Sequence, residues 1–348
     1  MEQLFEQMAE ILESGKDAML VTIIASSGST PNGIGARMLV DASGRLRGTI
    51  GGGAVEHRAE ALAKEALAEK HSYTKAFILR RNEVEDLGMI CGGDVKVYFQ
   101  YVLGGEAGAA FAAAVAESFG RDEDAWLITD LAEAGDWTMG LYTEGGGLRT
   151  FGQDSVPERL STMPDTDFLS LLGRGPVRRE MDGRTVYSEP IVRAGRVVIF
   201  GGGHVSQELV PVLSHLGFRC VVFEDRPEFV TKALFPTAWD LILGDFGDIA
   251  ASITLSSSDY IVVMTRGHAA DLEVQKQVLR SRYAYVGVIG SKSKIAAVSE
   301  KLRQAGISQR NIDEVHMPIG LAIKAKSPAE LAISIAGEMI EVRAGREA

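Results

Sequence analysis

The sequence predicts an α/β protein in which a mixed α+β domain is followed by a doubly wound parallel-sheet domain. From Arg196 onward, short apolar runs alternate with helical segments, which is typical of a parallel sheet covered by helices on both faces. Before that point, the sequence predicts helices, a hairpin and further strands, as in a mixed α+β domain. The 348 residues are enough for two domains of roughly 150 to 200 residues each. We therefore assign residues 1–192 to the first domain and residues 193–348 to the second.

Composition and charge exclude several classes of protein. Hydrophobic residues make up 46% of the chain and charged residues 24%, as in ordinary globular proteins. The formal net charge of -11 argues against binding to nucleic acid or to an anionic membrane, because both need a basic surface. The N-terminus predicts an acidic amphipathic helix rather than a signal peptide, and no apolar run approaches the roughly 20 residues of a membrane span. We expect a cytoplasmic protein whose partners are small molecules or other proteins.

In the first domain, the N-terminal helix is followed by the apolar run "AMLVTIIAS", which predicts a strand over 18–26. The next segment, "ARMLVDASGRLRGTIGGG", alternates in polarity and turns at 42–44, which indicates a hairpin. The glycines Gly51 to Gly53 then lead into a stretch rich in Ala, Leu, Glu and Lys, so we expect a helix that begins near Ala54. The runs "KAFILR" and "VKVYFQYV" predict two strands on either side of the loop "DLGMICGGD".

The remainder of the first domain has a weaker pattern. The runs "WLITDLA" and "WTMGLYT" extend the mixed domain. From about Gly145 to Arg184 the apolar periodicity fades, and Gly, Pro, Arg and Asp become frequent. We therefore expect peripheral or linker structure over about 145–192.

In the second domain, "RVVIFGGG", "RCVVFED", "DLILGD", "DYIVVMT" and "AYVGVIG" predict five strands. Helices are expected over about 204–216, through "LEVQKQVLR" and through "SKIAAVSEKLRQAG". The last helix has a clear start signal, because Ser327 and Glu330 have the spacing of a capping box and Pro328 occupies the first helical position.

The first turn of the second domain has the pattern G-x-G-x-x-S, formed by Gly201, Gly202, Gly203, His204 and Ser206. It directly follows an apolar strand and opens a helix, which is the context of a Rossmann-type unit. The first glycine permits a tight turn, the second allows the backbone to approach a pyrophosphate, and the helix N-terminus supplies N–H donors. Ser206 departs from the usual third Gly or Ala but is still small. The pattern predicts the fold, and it leaves dinucleotide binding open.

Asp225 lies 22 residues after Gly203, at the end of the second strand. An acid at this place can accept hydrogen bonds from ribose hydroxyls. Because Glu224 precedes Asp225 and Arg226 follows it, the sequence does not decide between a ribose and a ribose phosphate.

Two further turns of this domain carry polar residues. Arg266 and His268 follow a strand in "MTRGHAAD". Two interpretations of His204 and His268 stay open: either of them transfers a proton, or each simply caps a turn or helix. The turn "VIGSKSK" carries Ser291 and Lys292. Backbone amides and lysines at a helix start favour an anion, while capping by Ser291 with solvated lysines is the alternative.

The chain has two cysteines, Cys91 and Cys220, so it has neither a disulfide framework nor a CxxC pair. Cys91 lies in a loop flanked by glycine, where an accessible thiolate for sulfur or metal chemistry is one interpretation and a structural residue the other. Cys220 lies inside a predicted strand and is expected in the core. No H-E-x-x-H or other metal-ligand spacing occurs.

Taken together, these motifs resemble the XdhC/CoxI family of xanthine dehydrogenase accessory factors. The matching segments are "SSGSTPNGIGARMLV", "GTIGGGAVE", "GMICGGDVKVY", "VVIFGGGHVSQEL", "EDRPEFVTKALFPTA", "VVMTRGHAADLEV", "YVGVIGSKSK" and "MPIGLAIKAKSPAELAISIAGEMI". They occur in order and cover nearly the whole chain, with the stretch from about Gly104 to Arg184 the least distinctive. Their joint occurrence is more specific than any single motif.

The resemblance implies an XdhC/CoxI-type domain followed by a Rossmann-like domain, usually in a homodimer. It implies a protein that binds molybdenum cofactor as cargo, supports its sulfuration by a cysteine desulfurase and passes it to a molybdenum hydroxylase such as xanthine dehydrogenase. Cys91 matches the cysteine of the family's C-G-G loop, and a role near molybdenum or its sulfur follows for it. Gly51 to Gly53 and Glu56 match the family's glycine-rich turn and the acid that follows.

We therefore expect a cofactor chaperone rather than a catalyst, and we predict no catalytic residue. The alternative is an NAD(P)-dependent oxidoreductase that uses the second domain. The ligand of that domain could also be another nucleotide. A third hypothesis is a protein adaptor with a relic nucleotide fold. Cys91 is the predicted metal ligand. The predicted cofactor-binding residues are Gly51, Gly52, Gly53, Glu56, Cys91, Gly201, Gly202, Gly203, His204, Ser206, Asp225, Arg226, Arg266, His268, Ser291 and Lys292.

Overall fold

The structure of the protein is a computed structural model that divides into two compact units, Met1–Arg193 and Ala194–Ala348. In the part of the chain that is described, no helix has the length and the apolar character that a membrane crossing requires. The described residues are 1–28, 30, 32–78, 93–121, 123–133, 137–152, 165–181, 183–192, 195–291 and 295–347.

The first unit contains a five-stranded antiparallel sheet with the central strand β1 (Ala18–Ser27). The other strands are β2 (Arg37–Asp41), β3 (Gly44–Gly48), β4 (Tyr73–Ile78) and β5 (Asp94–Val102), in the order β3-β2-β1-β5-β4. The turn between β2 and β3 confirms the predicted hairpin. Side chains alternate along β1, so that Leu20 packs towards α1 (Glu2–Glu13) while Met19 packs towards α2 (Gly53–Glu69).

A second antiparallel sheet lies in the same unit. Its strands are β6 (Ala125–Asp130), β7 (Thr138–Thr143), β8 (Gly147–Gly152), β9 (Val177–Met181) and β10 (Arg184–Val192), in the order β8-β7-β6-β10-β9. Two further helices in the described part of this unit are α3 (Glu106–Ser118) and α4 (Asp165–Leu169). One hydrophobic core joins α1 and α3 to residues of both sheets, including Leu20 and Leu127.

The segment expected to be peripheral or linker structure, about 145–192, supplies three of these strands, and the structure differs from that expectation. Strand β10 pairs with β6 on one side and with β9 on the other. Strands β8 and β9 form the two edges of the sheet. The edge strand β9 carries Arg178, Arg179 and Glu180, which are exposed. Charged residues are common on edge strands because they discourage pairing with other chains, and here they hide the strand pattern in the sequence.

The second unit contains a parallel sheet, as predicted. Its strands are β11 (Arg196–Phe200), β12 (Arg219–Glu224), β13 (Asp240–Leu243), β14 (Tyr260–Val263) and β15 (Tyr285–Val288). The order β13-β12-β11-β14-β15 is that of a Rossmann-like sheet. The helices are α5 (His204–His215), α6 (His268–Val278), α7 (Ile295–Gln304), α8 (Gln309–Asp313) and α9 (Pro328–Glu347), with short 3-10 helices at Pro227–Phe229 and Ile249–Ala251.

Both faces of the central strand β11 are buried. Val197 and Ile199 pack in a core with α5 and α9, and Val198 and Phe200 pack in a core with α6, α7 and α8. Burial on both faces explains why these strands are apolar without alternation.

The start of α9 confirms the predicted capping box. The Ser327 hydroxyl accepts the backbone N–H of Glu330 at 3.2 Å, and the Glu330 carboxylate accepts the backbone N–H of Ser327 at 3.0 Å.

Candidate functional site

The glycine-rich turn lies at the carboxyl end of β11 and leads directly into α5. Gly201 has φ +116°, and a Cβ atom on it would collide with the carbonyl oxygen of Met264. A Cβ atom on Gly203 would meet no atom within 4 Å. The turn is therefore closely packed at its first glycine and open at Gly203, where the backbone leads into the N-terminus of α5.

Ser206 is the residue at which the turn departs from the usual glycine or alanine. Its side chain is buried, and its hydroxyl donates a hydrogen bond to the carbonyl oxygen of Gly201 at 2.5 Å. The hydroxyl ties the first turn of α5 to the end of β11. A small side chain with this bond preserves the packing of helix against strand.

Glu224, the last residue of β12, closes the turn from the neighbouring strand. Its side chain is fully buried, and its carboxylate accepts hydrogen bonds from the backbone N–H of Gly202 at 2.8 Å and from the Arg226 guanidinium at 2.9 Å. Burial acts to raise the pKa of Glu224, but the hydrogen bonds from Arg226 and Gly202 lower it to about 2. Glu224 is a site residue that the sequence prediction passed over. The sequence gives no signal that separates it from Asp225, because the two adjacent acids end the same apolar run.

Asp225, the acid predicted to accept ribose hydroxyls, is partly exposed and lies between two arginines. Its carboxylate is 3.1 Å from Arg266 Nη2 and 3.7 Å from Arg226 Nε. The neighbouring Glu224 carboxyl raises the pKa of Asp225, and burial adds to the effect. The Arg226 guanidinium also lies over the ring of Phe229, 3.9 Å from its centroid. Two acids and two arginines therefore form one compact cluster beside the glycine turn.

The turn between β14 and α6 is closed by a buried acid of its own helix. The Asp271 carboxylate accepts hydrogen bonds from the Thr265 backbone N–H at 2.9 Å and from the Thr265 hydroxyl at 2.6 Å. Burial raises the pKa of Asp271, although the bonds from Thr265 act in the opposite direction. His268 begins α6, and its Nδ1 lies 3.8 Å from the Asp271 carboxylate. The imidazole and the Arg266 guanidinium are both mostly exposed.

These turns meet where the order of the sheet changes direction. The chain proceeds from β11 outward through β12 and β13 and then returns to β14 on the other side of β11. Such a switch point leaves a crevice outside the carboxyl ends of the two central strands, which is where ligands bind in open α/β sheets. The structure places the glycine turn, the β12 cluster, Arg266 and His268 at this edge. Ser291 follows β15, the next strand along, and Lys292 lies outside the described residues.

The glycine turn of the first unit, Gly51 to Gly53, has a similar internal acid. All three glycines have positive φ, and Gly52 precedes α2. The Glu56 carboxylate accepts hydrogen bonds from the backbone N–H of Ile50 at 3.1 Å and of Gly52 at 3.2 Å, from the Thr49 hydroxyl, and from Arg45 at 2.6 Å. Burial acts to raise the pKa of Glu56, but these bonds lower it overall. Glu56 therefore holds the turn in shape.

The structure describes one of the two cysteines, Cys220. Cys91 lies outside the described residues, so its predicted role stays a prediction. Cys220 is in the core as expected, and burial raises the pKa of its thiol to about 12, which makes it unreactive. Among the residues that the structure describes, no three His, Cys, Asp or Glu side chains are grouped as a metal site requires.

Comparison with known protein families decides the family. Residues 197–339 match the model described as the XdhC Rossmann domain, and residues 11–77 match that of the XdhC and CoxI family. This chain belongs to the XdhC and CoxI family. The resemblance inferred from the motifs is thereby confirmed, and so is the Rossmann-like fold of the second unit.

Three curated relatives align with nearly the whole XdhC/CoxI chain. A protein of Bacillus subtilis (strain 168), named as a probable subunit of xanthine dehydrogenase, is 23% identical over 96% of this chain and 95% of the relative. "Molybdenum cofactor insertion chaperone PaoD" of Escherichia coli (strain K12) is 22% identical over 97% of this chain and 87% of the relative. "Uncharacterized protein YqeB" of Escherichia coli (strain K12) is 23% identical over 98% of this chain, which spans only 46% of that relative.

A solved structure has the same fold as this XdhC/CoxI protein. It is the crystal structure of a xanthine dehydrogenase from Bacillus halodurans, with a TM-score of 0.77 and 22% identity over 99% of this chain and 96% of the other. At this level of identity the likeness supports the fold alone.

Proposed function

We propose that this protein is an accessory factor that binds molybdenum cofactor, supports its sulfuration by a cysteine desulfurase and delivers it to a molybdenum hydroxylase of the xanthine dehydrogenase type. The observation that carries the proposal is the alignment of nearly the whole chain with a relative named as a molybdenum cofactor insertion chaperone. The Bacillus subtilis relative, whose name refers to xanthine dehydrogenase, supports the choice of client. The nicotinamide alternative gains no support from these relatives. Homodimer formation and a cytoplasmic location stay predictions.

In the second unit, the crevice at the switch point suits the phosphate end of the cofactor. Molybdopterin carries a phosphate group, and the N-terminus of α5 presents backbone N–H groups and the positive end of the helix dipole. Arg266 is 56% exposed and is paired with Asp225, after β14 at the same edge of the sheet. We propose that an incoming phosphate takes Arg266 from Asp225, while Arg226 stays on Glu224. The charges of Glu224 and Arg226 cancel, so the buried acid does not repel the phosphate.

In the first unit, we propose that Glu56 positions the glycine turn and does not contact the cargo. Its carboxylate oxygens already accept four hydrogen bonds, from Thr49, Ile50, Gly52 and Arg45. A Cβ on Gly52 would meet no atom within 4 Å, so the space beside this glycine is open to a ligand. Cys91 is proposed as the soft ligand near molybdenum or its sulfur, because thiolates are ligands that such metals prefer.

The proposal is tested by binding of molybdenum cofactor, released anaerobically from a donor enzyme, to the wild-type chain and two cysteine variants. We expect one equivalent of cofactor to stay with the wild-type chain through gel filtration. Cys91→Ala should weaken binding about tenfold or more, which corresponds to about 1.4 kcal/mol. Cys220→Ala is the matched control and should bind like the wild type, because Cys220 is buried in the second unit. A wild-type chain that retains no cofactor would refute the proposal, and equal binding by Cys91→Ala would remove the thiol from the site.

A further inference from the structure

The first unit contains an internal chamber that the proposed function does not use. It lies between the two sheets, where side chains of β1, β2 and β5 meet side chains of β6 and β10, and it has room for a molecule of the size of water. Its polar lining residues are Thr22, Arg37, Tyr98, Gln100, Thr129 and Tyr187.

Strand register explains why so many polar side chains meet here. In the first sheet, Thr22 on β1 is paired with Arg37 on β2 and with Tyr98 on β5. In the second sheet, Tyr187 on β10 is paired with Thr129 on β6. Paired residues point to the same face of a sheet, so each sheet presents a polar row to the other.

Three of these side chains are almost completely buried and have polar atoms without a protein partner. Arg37 is 5% exposed, and Gln100 and Tyr187 are each 2% exposed. Within the described residues, no protein group meets hydrogen-bond geometry with Arg37 Nε, Gln100 Nε2 or the Tyr187 hydroxyl, although the Glu189 carboxylate interacts with that hydroxyl. Native proteins rarely leave such groups unpaired, since each has given up its hydrogen bonds to bulk water.

The chemistry of these atoms identifies the class of ligand. Arg37 Nε and Gln100 Nε2 carry N–H groups that can only donate, and the Tyr187 hydroxyl can donate or accept. Burial raises the pKa of Tyr187, and the nearby Glu189 carboxylate raises it further, so the hydroxyl stays protonated. The charge of Arg37 is already balanced, because its Nη2 forms a buried ion pair with Glu189. A neutral acceptor of the size of water fits this chamber better than an anion does.

We propose that the chamber binds one buried water molecule. This water accepts hydrogen bonds from Arg37 and Gln100 and forms a third hydrogen bond with the Tyr187 hydroxyl. Arg37 and Gln100 belong to the first sheet and Tyr187 to the second. The water therefore joins the two sheets of the first unit, beside the Arg37–Glu189 ion pair that joins them directly.

The test compares two tyrosines that line the same chamber and are equally buried, at 2% exposed. The Tyr98 hydroxyl has a protein partner, the carbonyl oxygen of Ala132 at 2.9 Å, so Tyr98→Phe must lower the melting temperature. If water occupies the chamber, Tyr187→Phe should lower it as well, by roughly 2–4 °C for the loss of one hydrogen bond. An unchanged or higher melting temperature for Tyr187→Phe would overturn the proposal, because removing a hydroxyl without a partner is neutral or stabilising.

A direct measurement counts long-lived internal waters by oxygen-17 magnetic relaxation dispersion. The wild type should have one more than Gln100→Leu, which removes a donor and fills space. An equal count in the two proteins would contradict the proposal. Titration with chloride and with formate tests whether the chamber binds an anion instead of water. If either anion raises the melting temperature of the wild type but not that of Gln100→Leu, the occupant is an anion and the proposal is overturned.

Discussion

Replacing Glu224 by glutamine tests whether a buried charge holds the glycine turn of the second unit. The substitution preserves the shape of the side chain and removes its charge from Arg226 and Gly202. The pKa of Glu224 is about 2, against an ordinary value of 4.5. Since one pKa unit corresponds to about 1.4 kcal/mol, the ionised carboxylate contributes about 3 kcal/mol to the free energy of unfolding at neutral pH. A folded pKa below the unfolded one means that this contribution is complete above pH 4.5 and is lost as the pH falls towards 2.

The assay is urea unfolding of the wild type and Glu224→Gln between neutral and acidic pH. Hydrogen exchange of peptides from residues 194–348 reads the second unit separately from the first. We expect the variant to be less stable by up to about 3 kcal/mol at pH 7, with a difference that shrinks as the pH falls below that of the unfolded carboxyl. Glu228→Gln is the matched control, because Glu228 is exposed in the short 3-10 helix Pro227–Phe229 after β12 and should change stability little. Equal stability of wild type and Glu224→Gln at pH 7, or a difference that does not shrink in acid, would show that the ionised Glu224 carboxylate does not stabilise the turn.

Two other substitutions test close packing and buried charge. Gly201→Ala should lower the stability of the second unit by about 3 kcal/mol in urea unfolding, since it adds left-handed backbone strain to a clash with Met264. Gly203→Ala is the control and should fold normally, because a Cβ there meets no atom within 4 Å. Equal effects of the two substitutions would contradict this explanation. Arg37→Met should lower the stability of the first unit by about 3–5 kcal/mol, because it leaves Glu189 charged and buried without a partner. Adding Glu189→Leu should recover most of the loss, and a double variant no more stable than the single one would exclude this cause.

The sheet of the second unit could be predicted because its strands have no polar face. Each residue of β11 from Val197 to Phe200 is buried, and helices cover both sides. The same feature hid the role of Glu224. In a strand with two apolar faces, nothing in the sequence shows which of two adjacent acids points towards the glycine turn. The prediction chose Asp225, which the structure places with Arg266 at the edge of the crevice.

The second sheet of the first unit was harder to predict for the opposite reason. Its edge strand β9 is charged, so no alternation marks it. The internal chamber had no local signal at all. Arg37 and Glu189 form an ion pair across 152 positions of the sequence, and only the folded chain brings them together. Cys91, which the motif resemblance singled out, lies outside the described residues, and its role rests on the proposed function.

The proposed function is tested most directly by transfer of cofactor from this protein to an apo-hydroxylase of the xanthine dehydrogenase type. The protein is loaded with molybdenum cofactor under anaerobic conditions, separated from free cofactor and mixed with the apo-enzyme, and hydroxylase activity is followed with time. Free cofactor at the same concentration, with and without serum albumin, is the control. If this protein delivers its cargo, the loaded protein should activate the hydroxylase faster and more completely than free cofactor. Activation no better than that by free cofactor would contradict the proposed function.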